Sequence, residues 1–133
     1  MTAREIQTVR KTWKIFQQID SQLIGEIFYG KLFSDHPSLR RLFPKDMQGQ
    51  HQKLIDMLSW IITRLKTPEF LAEELAALGR RHVNYGVNKS YYPYVGEALL
   101  WTIQQGLGAD WNEEVEEAWV ACYQMIVDGM KKS

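Results

Sequence analysis

The chain has 133 residues, of which 45% are hydrophobic and 24% are charged, so it can build one compact domain and is too short for two ordinary ones. Its 16 Lys and Arg residues are balanced by 16 Asp and Glu residues, which argues against a nucleic acid partner because such partners require a clustered basic excess. The single cysteine, Cys122, excludes an intrachain disulfide framework and a cysteine zinc site.

The first predicted elements are helices. A Thr-x-x-Glu capping box at residues 2–5 predicts a helix that continues to about Gln18. A second helix fits residues 21–34. A proline near its end predicts a short helical turn over residues 37–43, because proline suits the first turn of a helix and no interior position.

Four longer helices follow a corner at residues 44–46. Their predicted ranges are 47–65, 68 to just before Gly86, 90–105 and 110–131. We expect Thr67 to cap the second of these, Ser90 to open the third, and a capping-box pattern at Asp110 and Glu113 to open the fourth. Glycines at 106 and 108 are expected to break the third. No strand pattern interrupts the helices, so the predicted fold class is all-α, with six long or medium helices and one short one.

Two polar residues lie on apolar helix stripes, where an apolar residue would be less costly. His82 continues the stripe of Leu75 and Leu78, and Gln50 precedes Leu54 by one helical turn. A lone histidine on such a face is most often a satisfied core residue, and the alternative is that its imidazole is a ligand.

Tyr29 is predicted in the second helix, beside Phe28 and Phe33. It is either an aromatic packing residue with its hydroxyl at the surface or a hydroxyl aimed into a pocket. The same two interpretations apply to Gln50. If both side chains point inward, they form a pair of hydrogen-bond donors that suits a polar ligand.

A histidine on an apolar face can serve as the axial ligand of a haem iron. A haem needs a flat apolar slot, one strong axial nitrogen, and cations at the rim for its propionates. The apolar residues available to build such a slot are Phe28, Phe33, Phe43, Leu54, Leu78, Val87, Val95 and Leu99. Arg81 and Lys53 are expected at its rim.

Several short motifs occur in order along the chain. They are Gly25, Ile27–Phe33 with its tyrosine, Pro37 and Phe43, Gln50 and Leu54, Leu78–His82, Tyr92–Leu100, and Ala118–Trp119 with Tyr123. Through these motifs the sequence resembles the globins over nearly its whole length. The resemblance is strongest to the globin module of bacterial flavohaemoglobins and to their single-domain relatives.

The resemblance implies a globin fold of six to seven helices around one haem b, with residues 1–133 forming a single globin domain. It implies that His82 is the proximal iron ligand and that Tyr29 and Gln50 are the distal pair that binds oxygen tightly. The expected chemistry is the conversion of nitric oxide and oxygen to nitrate, with oxygen, nitric oxide and other small haem ligands as partners.

Two features of the flavohaemoglobin pattern are not fully matched. Tyr92 stands at the position of a proximal tyrosine, whereas the glutamate that accompanies it would fall just past Ser133. The flavin and nicotinamide domains have no counterpart within these residues. We therefore expect turnover to require an external reductase. We also expect the protein to be a monomer.

One choice of register remains open between Gln50 and His51 for the distal position. Gln50 is favoured because the apolar distal residue Leu54 follows it by four positions, which leaves Asp56 on the outer face. If His51 took the distal position, the matching pocket residue would be Ile55.

Two other functions compete with nitric oxide chemistry. The first is oxygen transport, storage or sensing without turnover, although the sequence shows no signalling domain that would favour a sensor. The second is a helical interaction protein without haem, in which the inward polar pair Tyr29 and Gln50 would be an unexplained cost. The start of the chain is charged from Arg4 onward and lacks the apolar core of a signal peptide, so a cytoplasmic location and no membrane insertion are expected.

Overall fold

Six α-helices form the protein in the computed structural model, which describes residues 1–132. They are α1 (Ala3–Phe16), α2 (Ser21–Asp35), α3 (Gln48–Thr63), α4 (Pro68–Asn84), α5 (Tyr92–Leu107) and α6 (Glu113–Lys131). Three short 3₁₀ segments, Pro37–Leu42, Lys89–Tyr91 and Gly108–Asp110, connect some of them. The described part of the chain contains no strand, so the all-α prediction is confirmed.

Side-chain caps fix the starts of the first two helices. The predicted capping box of α1 is present, since the Thr2 hydroxyl accepts a hydrogen bond from the Glu5 N–H and the Glu5 carboxylate accepts one from the Thr2 N–H. A carboxylate oxygen of Asp20 accepts a hydrogen bond from the Leu23 N–H at the start of α2. These caps satisfy N–H groups that have no partner inside the helix.

The predicted caps of two helices, α6 and α4, are corrected by the structure. The cap of α6 is Asn112 rather than Asp110, because the Asn112 amide oxygen accepts a hydrogen bond from the Val115 N–H at 2.9 Å. The Thr67 hydroxyl donates to the Arg64 carbonyl and makes no cap. Local patterns predict that a cap is nearby, but they do not decide which of several polar residues turns toward the helix end.

The fifth helix also differs from its prediction at both ends. Ser90 lies in a 3₁₀ turn, in which its N–H donates a hydrogen bond to the Asn88 side chain. Helix α5 begins only at Tyr92. Gly106 lies inside α5 rather than breaking it. The helix ends at Leu107 and is followed by Gly108, whose φ of 53° is a backbone conformation that favours glycine.

The helices pack in a defined set of pairs. α6 packs against α1 and α4, while α2 packs against α3 and α5. Gly79 allows α4 to approach α6 closely, because a side chain at this position would overlap the backbone carbonyl of Met130 in α6. The closely packed pairs do not include α3 with α4, so these two helices leave room between them.

No helix among residues 1–132 combines the length and apolar character needed to cross a lipid bilayer.

Candidate functional site

A cleft lies between α3 and α4, where these helices do not pack against each other. Its volume is about 320 Å³, and its lining residues are Asp56, Met57, Trp60 and Ile61 from α3 with Glu74, Leu75, Leu78 and Arg81 from α4. The apolar side chains form its walls, whereas Asp56, Glu74 and Arg81 are exposed. The cleft is therefore an apolar slot with charges of both signs at its mouth.

His82 lies in the last turn of α4 and is half-buried. Its Nδ1 is 2.8 Å from the carbonyl oxygen of Leu78, which lines the cleft. A carbonyl oxygen can only accept, so Nδ1 carries the hydrogen, and in the neutral imidazole the lone pair then lies on Nε2. A histidine that binds a metal is commonly held in this way, because the hydrogen bond fixes both the tautomer and the ring orientation.

The structure brings Tyr29 of α2 and Gln50 of α3 together. The Gln50 Nε2 donates a hydrogen bond to the Tyr29 hydroxyl at 3.2 Å, although the two residues are 21 positions apart in the chain. Within residues 1–132 the tyrosine hydroxyl accepts this bond and donates none to protein. Its own hydrogen is therefore free to be donated to a further acceptor. Neither Tyr29 nor Gln50 is among the residues that line the cleft between α3 and α4.

Burial keeps that hydrogen in place. The Tyr29 side chain is 5% exposed, and its desolvation raises the pKa of Tyr29 above the usual value, with the bond from Gln50 acting in the opposite direction more weakly. The phenol is consequently neutral at physiological pH and can serve as a donor.

Four rings surround the Tyr29 ring. Phe28 and Phe43 approach it edge-on, with ring centroids at 4.8 Å and 5.3 Å. Phe33 and His51 lie nearly parallel to it, at 5.8 Å and 5.6 Å. Such packing restricts the rotation of the tyrosine ring and therefore the direction of its hydroxyl.

The predicted slot residues do not all occupy the same environment. Phe28 and Leu99 are buried in the core, whereas the other six are only partly buried and pack against it: Phe33, Phe43, Leu54, Leu78, Val87 and Val95. The predicted rim residue Arg81 lines the cleft, but Lys53 is exposed and is not among the lining residues. The described cleft thus includes one of the two proposed rim cations.

Tyr92, the predicted proximal tyrosine, is buried at the start of α5, and its hydroxyl has no hydrogen-bond partner within residues 1–132. The Nδ1 of His82 is engaged by Leu78 instead. Tyr92 contributes through its backbone, because its carbonyl accepts a hydrogen bond from the Tyr123 hydroxyl at 2.6 Å. The position of the glutamate in the flavohaemoglobin pattern would fall outside the described residues.

Sequence reasoning missed several lining residues. It did not name Met57, Trp60 or Glu74 as slot residues, yet all three line the cleft. The available signal was the spacing along α3, because Met57 follows Leu54 by three positions and Trp60 follows Met57 by three, each step close to one helical turn.

The residues present fit a haem. An apolar slot lies between α3 and α4. His82 lies close to it, with its Nδ1 fixed by the Leu78 carbonyl and its Nε2 free. Three apolar side chains that line the slot, Met57, Trp60 and Leu78, are only partly buried and would be covered by a flat apolar group. Within residues 1–132 no three His, Cys, Asp or Glu side chains come together as ligands for a bare metal ion.

Comparison with known proteins gives a family match and a set of relatives. The profile of the family described as Globin matches residues 26–130. Proteins named flavohemoprotein from Rhizobium meliloti and Bacillus cereus are 29% and 30% identical to the chain over 131 residues, which is 96% of this chain. The chain spans 32% of the length of each of these relatives.

Solved structures show the same architecture. A bacterial globin from Campylobacter jejuni superposes with a TM-score of 0.80 at 25% identity, covering 98% of this chain and 97% of that one. An engineered carbene transferase, made from a candidate nitric oxide dioxygenase of Rhodothermus marinus, superposes with a TM-score of 0.83 at 26% identity. That match covers 96% of this chain and 89% of the other.

Proposed function

Because the chain belongs to the globin family, we propose that it binds one haem b through His82 and uses Tyr29 and Gln50 to hold oxygen tightly on the opposite side of the slot. Its flavohemoprotein relatives imply a haem cofactor. When bound, the haem supplies an iron that takes small gaseous ligands. The protein supplies the histidine nitrogen, the apolar walls and the hydrogen-bond donors.

The observation that carries the proposal is the bond between Gln50 and Tyr29. Two buried or partly buried polar side chains from different helices meet at 3.2 Å, and the tyrosine keeps a hydrogen for a third partner. Oxygen that is polarised in the pocket accepts such a hydrogen bond, whereas carbon monoxide accepts it poorly. The pair therefore favours oxygen over carbon monoxide.

We propose nitric oxide dioxygenation as the reaction. Nitric oxide, oxygen and one electron combine to give nitrate, so each turnover consumes one electron from an external reductase. Tight retention of oxygen suits this reaction, because oxygen must remain in the pocket until nitric oxide arrives. The flavohemoprotein relatives and the structural likeness to a candidate nitric oxide dioxygenase support the choice.

The reaction is tested by mixing the ferrous, oxygenated protein with nitric oxide. We expect one nitrate for each nitric oxide consumed, and ferric protein as the other product. With a reductant, turnover should continue, and Gln50→Leu should slow it relative to a control variant at the exposed Gln52. Release of free oxygen with no nitrate would contradict the reaction and leave oxygen binding as the function.

Oxygen binding without turnover is the second candidate, and the contact of His82 favours it. The Nδ1 hydrogen bond goes to a neutral backbone carbonyl, not to a carboxylate. A carbonyl draws less on the Nδ1 hydrogen than a carboxylate, so the histidine donates less electron density to a bound metal. We expect the iron–histidine stretch of the ferrous protein to resemble that of an oxygen carrier rather than that of a peroxidase.

The proposed rim cations are expected to have a small effect. Both Arg81 and Lys53 are exposed, and contacts between exposed charges contribute only about 0–1 kcal/mol. Arg81→Ala should speed haem transfer to an acceptor protein about two- to fivefold, because Arg81 lines the cleft. Lys53→Ala should change it less. Equal rates in the parent and the double variant would place the propionates elsewhere, while oxygen release serves as the control that should stay unchanged.

A further inference from the structure

A buried histidine beside the proposed pocket has no role in the chemistry described so far. His51 is 7% exposed, and its Nδ1 has no hydrogen-bond partner within residues 1–132. A buried polar atom without a partner is destabilising, so an apolar side chain would be less costly at the same place. We therefore expect the imidazole ring of His51 to have a role of its own at this place.

Two contacts hold the His51 ring in place. On one side it fills the space above Gly25 of α2, since a Cβ atom added to Gly25 would overlap three carbons of the histidine side chain. It also lies nearly parallel to the Tyr29 ring, with centroids 5.6 Å apart and planes 22° apart. The crossing of α2 and α3 thus fixes the imidazole against the tyrosine.

His51 differs from the other three rings around Tyr29 in its position along the chain. Of the four rings around Tyr29, Phe28 and Phe33 belong to α2 itself and Phe43 follows the first 3₁₀ segment. His51 belongs to α3 and is adjacent to Gln50, which donates to the tyrosine hydroxyl. One short stretch of α3 therefore contacts both the face of the tyrosine ring and its hydroxyl.

We propose that His51 is a positioning residue, which fixes the direction of the Tyr29 hydroxyl through the flat contact of its ring. It does not bind the iron or the gaseous ligand in this role. The proposal rests on the proposed function only in its last step, where the hydroxyl donates to oxygen in the pocket. Its first step, the restriction of the tyrosine ring, is measured separately.

The ring step is tested by NMR of the haem-loaded carbon monoxide complex with ¹³C-labelled tyrosine. In His51→Ala the ring of Tyr29 is expected to flip at least tenfold faster than in the parent, because one wall is gone. In His51→Phe, which restores a flat ring without nitrogens, the flip rate should return to within about threefold of the parent. An unchanged flip rate in His51→Ala overturns the proposal, whatever the oxygen measurements show.

The second step is tested by oxygen release in a double-mutant cycle. His51→Ala should speed oxygen release about tenfold and carbon monoxide release less than twofold. In the Tyr29→Phe background the same substitution should change oxygen release less than twofold, because the hydroxyl it orients is absent. An equal effect of His51→Ala in both backgrounds would show that His51 acts without the tyrosine.

A space-filling variant and an absorption spectrum allow the proposal to be decided if His51→Ala does not fold or if His51 itself binds the iron. If His51→Ala does not fold, His51→Leu fills most of the space without a flat ring, and oxygen release should then rise about threefold. If Tyr29→Phe alone leaves oxygen release unchanged, the donor role in the proposed function fails, while the ring-flip measurement still decides the proposal for His51. A parent spectrum with two axial nitrogens that reverts to one in His51→Phe would overturn it, since His51 would then be a ligand itself.

Discussion

His82→Ala is expected to abolish stable haem incorporation. The residue is the half-buried histidine beside the cleft, and its ring is oriented by the Leu78 carbonyl with one nitrogen free. Without that nitrogen, the slot retains only apolar contacts and rim charges to hold a haem. The measurement is haem content per chain after purification and reconstitution, together with the position of the Soret band.

The control for His82→Ala is another histidine of the same chain. His36 stacks on Tyr94 at the C-terminal end of α2, with ring centroids 3.8 Å apart, so it lies on neither of the two helices that form the cleft. His36→Ala should therefore retain full haem content. Added imidazole should restore a five-coordinate ferrous spectrum to His82→Ala by entering the vacated space. Full haem content and a normal spectrum in His82→Ala without imidazole would refute the assignment.

Tyr29→Phe is expected to speed oxygen release tenfold or more. The substitution keeps the ring and its four aromatic neighbours and removes only the hydroxyl, so the packing stays nearly the same. A hydrogen bond of about 1.5 kcal/mol corresponds to roughly tenfold, at about 1.4 kcal/mol for each factor of ten. Stopped-flow displacement of oxygen by carbon monoxide measures the rate.

Gln50→Leu should also speed oxygen release, since it removes the partner of the tyrosine hydroxyl. Because Tyr29 and Gln50 share one hydrogen bond, the double variant should fall short of the product of the single effects. Tyr94→Phe is the matched control, because Tyr94 is 37% exposed and stacks on His36 at the surface. A rate for Tyr29→Phe within twofold of the parent would mean that the hydroxyl does not reach the ligand.

The pH dependence provides a further check on the same donor. Burial raises the pKa of Tyr29, so the hydroxyl stays protonated well above neutral pH. Oxygen release in the parent should therefore be constant between about pH 6 and 9. A marked rise across this range would show that the donor loses its proton there, contrary to the environment of the ring.

Much of the helical frame was predictable because its signals are local. A capping box, a proline in a first turn and an apolar stripe act over one or two turns of chain, and they predicted α1, α2, α4 and α6 within a few residues. Errors fell where two polar residues competed for one cap, as with Asp110 and Asn112. The candidate ligand His82 was also found locally, as a polar residue on an apolar stripe.

The meeting of Tyr29 and Gln50 was not determined by the sequence alone. Each side chain had two interpretations, inward or outward, and periodicity shows which residues share a face without showing what that face meets. The crossing of α2 on α3, with Gly25 beneath His51, brings the two donors within 3.2 Å and turns the histidine into the core. His51 consequently lies at the crossing of α2 and α3. The spacing of residues in the sequence did not decide this location.

The cleft itself was decided entirely by tertiary structure. Its two walls come from α3 and α4, and they remain apart because α3 packs on α2 while α4 packs on α6. The sequence predicted apolar faces on both helices, and such faces ordinarily close on each other to remove their surface from water. Here the two faces do not close on each other, because each helix packs on a different neighbour. That choice of neighbours depends on contacts between distant parts of the chain, which no local sequence pattern encodes.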